Sequence, residues 1–338
     1  MNNFYITTPI YYVNDKPHIG HAYTTIACDI LARFNKLQKK NVFFLSGTDE
    51  HGQKVEKAAQ KSKMQPQEFV NNISKSFKEL IPALGCETND FIRTTEKRHK
   101  IAAQYLWKKL EDNKQIYLSN YEGWYSIRDE AFYSENELTK VDGSLIAPSG
   151  STVEWVKEES YFFKLSKWQN KLISFYENNP ESIKPKSRYN EVLSFIKSGL
   201  KDLSISRTTF KWGIPVPNNA KHVMYVWIDA LCNYLTAIGY PDTSSNKFNN
   251  FWPAIHVVGK DILRFHSVYW PAFLMAADLE PPIKVFAHGW WTNEGQKISK
   301  SLGNTIDPYD IISNYGLDQF RFFLFREVPF GNDGDFSK

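Results

Sequence analysis

Short apolar runs alternate with helical stretches through the first third of this chain, and that alternation constrains the fold more than any other feature. Phe4–Ile10 is a β-branched and aromatic run; 20–37 reads as a helix with Ala27, Ile30, Leu31 and Phe34 on one stripe. Val42–Ser46 reads VFFLS, a strand buried on both faces, and 66–84 places Phe69, Ile73, Phe77 and Leu80 on one helical face. Strands joined through helices must run parallel, with crossovers covering the sheet. From about Ile116 to Ala220 the texture changes: Asp142-Gly143 and Pro148-Ser149-Gly150 turns separate short aromatic strands, as in an inserted mixed domain. Alternation resumes at His222, with Ile255–Val258 and Val285–His288 as further strands.

The 338 residues exceed one average domain, and 42% hydrophobic with 23% charged residues excludes a disordered chain, a collagen repeat or a coiled-coil rod. No apolar run reaches the roughly 18–20 residues of a membrane helix, and the N-terminus lacks the pattern of a secretory signal. Three scattered cysteines, Cys28, Cys86 and Cys232, form no CxxC and fit a reducing cytoplasm. A net charge of +4 does not by itself indicate nucleic-acid binding.

Two phosphate signatures fail. GxGxxG is absent, and the stretch from Gly47 to Lys54 has its lysine one position late for a P-loop, with Val55 in place of Ser or Thr. What remains is Pro17-His18-Ile19-Gly20-His21, at the junction of the first strand and first long helix. Gly20 admits a ligand close to backbone, the helix N-terminus favours an anion, and His18 and His21 can face one phosphate or serve as helix caps. The second element is Lys297-Ile298-Ser299-Lys300-Ser301, two lysines and two hydroxyls between Gly295 and Gly303: a cationic loop that could close on a triphosphate, or an exposed basic loop. Trp227, Ala230 and Tyr234 share one helical face, as do Ile262, His266 and Trp270; each set is either ordinary core or a pocket wall for a thioether.

The histidine pair with KISKS some 280 residues later resembles the class I aminoacyl-tRNA synthetases, and TTPIYYVNDKPHIGHAYTT, FLSGTDEHGQK, YVWIDAL, VVGKDILRFHSVYWPA and AHGWW resemble their methionyl group along essentially the whole chain. The resemblance implies an α/β fold: a Rossmann-type parallel sheet over 1–115 and 221–291, split by a mixed α+β connective-peptide insertion over 116–220, with the KISKS loop and start of a stem-contact region in 292–338. It implies a methionine–tRNA ligase that forms methionyl-adenylate and pyrophosphate and then charges tRNA(Met), with His18, His21, Lys297 and Lys300 catalytic. ATP, with Mg²⁺, is assigned to His18, Gly20, His21, Gly259, Asp261, His288, Gly289 and Lys300; methionine to Ile10, Tyr12, Asp49, Trp227, Ala230, Tyr234, Ile262, His266 and Trp270. Asp49 would pair with the substrate ammonium or, alternatively, cap the next helix.

Two departures stand out. The family's zinc knuckle corresponds here to Trp124–Tyr133, which has no cysteine, so no zinc and no other resident metal is expected. Ile298 stands where methionine is usual. The family follows GNDGDFSK with a helical anticodon-binding domain, so the chain is expected to be a cytoplasmic, monomeric, membrane-free fragment competent mainly for the first step. A synthetase for another aliphatic amino acid, or an inactive RNA-binding paralogue, are the alternatives.

Overall fold

The computed structural model describes residues 3–141, 143–298 and 305–336, with the side chains of 296 and 297 excepted. Its centre is the expected α/β arrangement, a seven-stranded sheet. From one edge the order is Ile183–Lys184, Lys284–His288, Ile255–Gly259, Asn3–Thr7, Asn41–Asp49 and Asp90–Arg93; Tyr11–Tyr12 adds against the carboxyl end of Asn41–Asp49. Every pairing is parallel, in the register Ile6↔Ile255 and Thr7↔Leu45 on the two sides of the first strand. The chain leaves that first strand toward one flank and returns to the other. Such a reversal opens a crevice at the strands' carboxyl ends, where open α/β sheets bind ligands.

Eight of the nine residues of Asn41–Asp49 are shielded, from Val42 to Asp49, and its apolar run Val42–Leu45 suits a sheet covered on both faces. Gly47 is tightly enclosed there. A Cβ on it would sit 2.1 Å from the Ile92 carbonyl oxygen of the neighbouring strand. Gly47→Ala is therefore expected to cost about 1–3 kcal/mol as the Asp90–Arg93 strand is pushed aside; chemical denaturation checks this, and an unchanged midpoint would show that strand to be free to yield.

The first long helix, Ile19–Leu37, buries a different face from the one its apolar spacing suggests. Ala27 is buried and Leu31 half-buried, but Ile30 and Phe34 are 40% and 55% exposed. The helix is covered from two sides. Ala27, Cys28 and Ala32 meet Ile6, Phe44 and Val257 of the sheet, while Ala22, Tyr23 and Ile26 meet Trp291, Phe320 and Leu324. Counting apolar residues alone also missed Thr24, Thr25 and Asp29, which are buried; Asp29 receives Arg33 at 2.8 Å and Arg321 at 2.7 Å. The 66–84 expectation matches Pro66–Ala83, with Phe69, Phe77 and Leu80 buried.

The span expected as one insertion, 116–220, is interrupted. Ile116–Ser126 pairs along its length with Glu154–Phe163 in a four-stranded antiparallel sheet, and Ser206–Arg207, Pro215–Val216 and Asn219–Met224 form a second, smaller one. Between them the chain returns to the parallel sheet, where Ile183–Lys184 is the edge strand beside Lys284–His288. A two-residue strand is too short to carry a periodic signal, so the boundary was not visible in the sequence. Where the resemblance places a zinc knuckle, Asp129 Oδ2 accepts hydrogen bonds from the Tyr133 hydroxyl at 3.0 Å and from Ser149 and Ser151. Among the described residues, no helix is long and apolar enough to cross a membrane.

Candidate active site

At the carboxyl ends of the parallel strands lies a cavity of about 460 Å³. It brings together Ile10, Tyr12, His18, Gly20, His21 and Asp49 from the first half of the sheet. From the second half come Trp227, Ala230, Tyr234, Gly259, Asp261, Ile262, His266, His288 and Gly289, with Ile298 at the rim. Of the remaining expected site residues, Trp270 lies elsewhere, the side chain of Lys297 is not described, and Lys300 lies outside the described residues. Lys297 contributes backbone to the hairpin strand Gln296–Lys297.

His18 and His21 are both caps and cavity walls. The Gly20 N–H donates to His18 Nδ1 at 3.1 Å, and the His18 N–H donates to His21 Nδ1 at 3.0 Å, a reciprocal box that closes the start of Ile19–Leu37. Since both Nδ1 atoms accept, the proton of each neutral ring sits on Nε2. The rings are 4.0 Å apart, and His21 is held edge-on by Tyr11 and Phe77. Burial lowers both pKa values, that of His18 to about 4 with partial opposition from Asp261, and that of His21 further depressed by His18. The pair therefore presents two neutral Nε2–H donors at neutral pH. Gly20 leaves room for this ring, because a Cβ would meet His18 Cε1 at 2.9 Å and push the imidazole from its cap position.

On the same side, Asp49 ends the central strand. It is 7% exposed, and its Oδ1 has no hydrogen-bond partner. Burial, then the charges of Asp229 and Glu130, raise its pKa well above the carboxylate range. A carboxyl buried beside the cavity with an unpartnered oxygen is costly unless a donor or cation satisfies it.

The opposite wall is aromatic. Trp227, Ala230 and Tyr234 lie where helical spacing puts them, on Val226–Leu231 and Asn233–Thr236. That helical segment is pinned from behind by Asp229, whose two carboxylate oxygens each lie 2.7 Å from an imidazole, His51 Nδ1 and His99 Nε2. The other half of the wall departs from simple spacing. Phe265–Tyr269 forms a π-turn, which inserts a residue into the i, i+4, i+8 count. Trp270 consequently turns away from Ile262 and His266 and is fully buried behind Tyr234, at a ring distance of 6.2 Å. Phe265 takes the place facing the cavity, stacked on Trp227 at 3.7 Å and 3°. His266 has the partners its burial demands. Its Nδ1 lies 3.0 Å from the Ile262 carbonyl, so Nδ1–H donates there, and Nε2 accepts the Tyr234 hydroxyl at 2.7 Å; burial lowers its pKa to about 4.

The third side is built from backbone. Asp261 folds over Gly259 so closely that a Cβ there would meet its Oδ1 at 2.5 Å, and Trp290 Nε1 donates to that oxygen at 3.1 Å. Gly289 packs under 331–336: a Cβ would lie 2.3 Å from the Asn332 carbonyl. His288 Nδ1–H donates to the Gly289 carbonyl at 2.8 Å, and its Nε2 is 2.7 Å from Thr24 Oγ1. Sequence reasoning missed Phe265, Lys54 and Glu130, which all line the cavity. Lys54 was visible only as the misplaced lysine of a failed P-loop, and Glu130 only as an acid among the aromatics of 124–133.

One cavity thus joins a buried carboxyl, an apolar aromatic wall and a pair of neutral imidazoles at a helix N-terminus. Comparison with known proteins identifies the family. The chain is 65% identical over 338 residues to a methionine–tRNA ligase of Rickettsia conorii and 64% identical to one of Rickettsia bellii, covering all of this chain and 66% of each relative. It thus spans just under two thirds of the length of these curated relatives. A Mycobacterium tuberculosis methionyl-tRNA synthetase in complex with methionyl-adenylate superposes with a TM-score of 0.98 at 50% identity, over 100% of this chain and 67% of that one. The apo, free-state form of the Mycobacterium tuberculosis enzyme gives 0.85 at 46% identity, over 100% of this chain and 64% of that one. Residues 4–338 match the family described as tRNA synthetases class I (M), and the chain belongs to that family.

Proposed function

We propose that this chain activates L-methionine with ATP and, in the full-length protein, passes it to tRNA(Met). The methionine carboxylate attacks the α-phosphorus, a new C–O–P link forms, and the bond from the α-phosphorus to the bridging oxygen breaks, its electron pair leaving with pyrophosphate. The protein needs no nucleophile of its own; catalysis is positioning and stabilisation of charge. Asp49 holds the substrate ammonium, while Ile10, Tyr12, Trp227, Ala230, Tyr234, Ile262 and His266 enclose the thioether. Trp270 supports that wall from the layer behind.

The nucleotide is placed with adenosine beside Gly259, Asp261, His288 and Gly289, its phosphates over Gly20 and the His18 and His21 Nε2–H donors. Mg²⁺ travels on the phosphates, and Lys297 and Lys300 neutralise the departing pyrophosphate. Zinc has no part in this reading, because Trp124–Tyr133 offers no thiolate and is tied by the Asp129 hydroxyl contacts. The protein is read as a cytoplasmic monomer.

The observation that carries the reading is the shared cavity: Asp49, with its buried unpartnered oxygen, and the His18–His21 pair line one volume. Incubating the chain with methionine, ATP and Mg²⁺ and separating the nucleotides should yield protein-bound methionyl-adenylate and an equal amount of pyrophosphate. ATP that stays intact with methionine present would refute it.

A further inference from the structure

Glu130 comes from the span inserted between the halves of the sheet, yet its carboxylate reaches the amino-acid end of the cavity. It is 4% exposed and adopts a left-handed backbone, φ 49°, that an L-residue holds only when its surroundings enforce it. The surroundings do so from four segments. The Tyr225 hydroxyl donates to the Glu130 carbonyl at 2.7 Å, and the Tyr125 hydroxyl donates to Oε2. Oε1 accepts the Lys54 N–H at 2.9 Å and the Tyr12 hydroxyl at 3.0 Å.

Tyr12 is thereby fixed at its far end. Its ring lies under the Lys54 ammonium at 5.1 Å. Its hydroxyl occupies a space that only glycine leaves open, since a Cβ at Gly52 (φ 106°) would sit 2.6 Å from that oxygen and 3.0 Å from Glu130 Oε1. No other hydrogen-bonding contact to the Tyr12 hydroxyl is seen among the described residues, so Glu130 supplies the one polar anchor at the far end of a ring otherwise held by packing and by Lys54.

We propose that Glu130 is a positioning residue of the amino-acid pocket: by fixing Tyr12 it makes the inserted region set the grip on the amino-acid side chain, independently of the nucleotide. This rests on the methionine-activation reading, and the test separates the two. Methionine-dependent ATP–pyrophosphate exchange is measured for the parent chain and for Glu130→Ala, Glu130→Gln, Tyr12→Phe and the Tyr12→Phe/Glu130→Ala double variant, with thermal midpoints recorded for each. No exchange in the parent would refute methionine activation itself and, with it, this proposal.

With an active parent, Glu130→Ala and Tyr12→Phe should each raise the KM for methionine about tenfold, the size expected for a lost hydrogen bond to a buried charge, while the KM for ATP changes less than twofold. The double variant should be no worse than either single one, because the two residues act through one contact. Glu130→Gln, whose amide oxygen still accepts from Tyr12, should recover most of the loss. A KM for methionine within twofold of the parent in Tyr12→Phe, effects that multiply in the double variant, or equal rises in both KM values accompanying a lowered midpoint would each overturn the proposal.

Discussion

Asp49→Asn is expected to raise the methionine concentration needed for exchange by roughly 10²–10³-fold while leaving the KM for ATP within a few-fold. Removing one partner of a buried charge pair costs about 2–5 kcal/mol, and each 1.4 kcal/mol is a factor of ten. Asparagine keeps the volume, so the strand end should fold as before; what is lost is the charge that meets the ammonium. The same site carries a pH signature. Burial first, and then Asp229 and Glu130, hold the Asp49 pKa well above the usual carboxylate range. In the free protein it therefore keeps its proton to higher pH than an ordinary carboxyl, and an ammonium bound there would have to displace that proton. The KM for methionine should fall as pH rises through this raised pKa, and the dependence should vanish in Asp49→Asn. A KM with no pH dependence in the parent would leave Asp49 as no more than a buried strand terminus.

His18→Asn separates the two roles of the first histidine. Asparagine is among the best helix N-caps, so its oxygen can replace Nδ1 in accepting the Gly20 N–H, and the thermal midpoint should hardly move. It cannot reach where Nε2–H reaches. Losing one donor aimed at developing charge costs about 2.7–4 kcal/mol, or 10²–10³ in rate, so kcat for exchange should drop by that factor with the KM for methionine little changed. Because burial holds the His18 pKa at about 4, the donor is a neutral imidazole, and the parent's rate should show no fall as pH rises through 6.5. A His18→Asn chain that is destabilised yet turns over normally would make this histidine a cap and nothing else.

How much of this could be read from residues alone depended on how regular the local geometry is. The Val42–Ser46 part of Asn41–Asp49 was legible because a strand covered on both faces carries a continuous apolar run; its buried Thr48 and Asp49 end was not. Trp227, Ala230 and Tyr234 were legible because their segment keeps near-helical spacing. The next wall was half legible: Ile262 and His266 fall before or within the first step of the π-turn, whereas Trp270 falls after it and is rotated out of the site while Phe265 is rotated in. Ile30 and Phe34 misled because the first helix is covered from two sides and buries threonines and Asp29 in preference. Ile183–Lys184 is too short for any pattern to reveal. Glu130 could not be found by periodicity, since it sits in a left-handed turn and joins the site only through long-range contacts with Tyr12, Lys54 and Tyr225. The roles proposed for the histidine pair and Asp49 come from the family resemblance; the structure adds the capping geometry that fixes the Nε2–H tautomers and the unpartnered buried oxygen.

The central claim is that one cavity selects methionine and activates it with ATP. ATP–pyrophosphate exchange run in parallel with methionine, leucine, isoleucine, valine and cysteine tests it most directly. Exchange is expected to need Mg²⁺, to be driven by methionine, and to be lower by orders of magnitude with the other four. Exchange driven by leucine or isoleucine in preference to methionine, or none with any of the five, would contradict it.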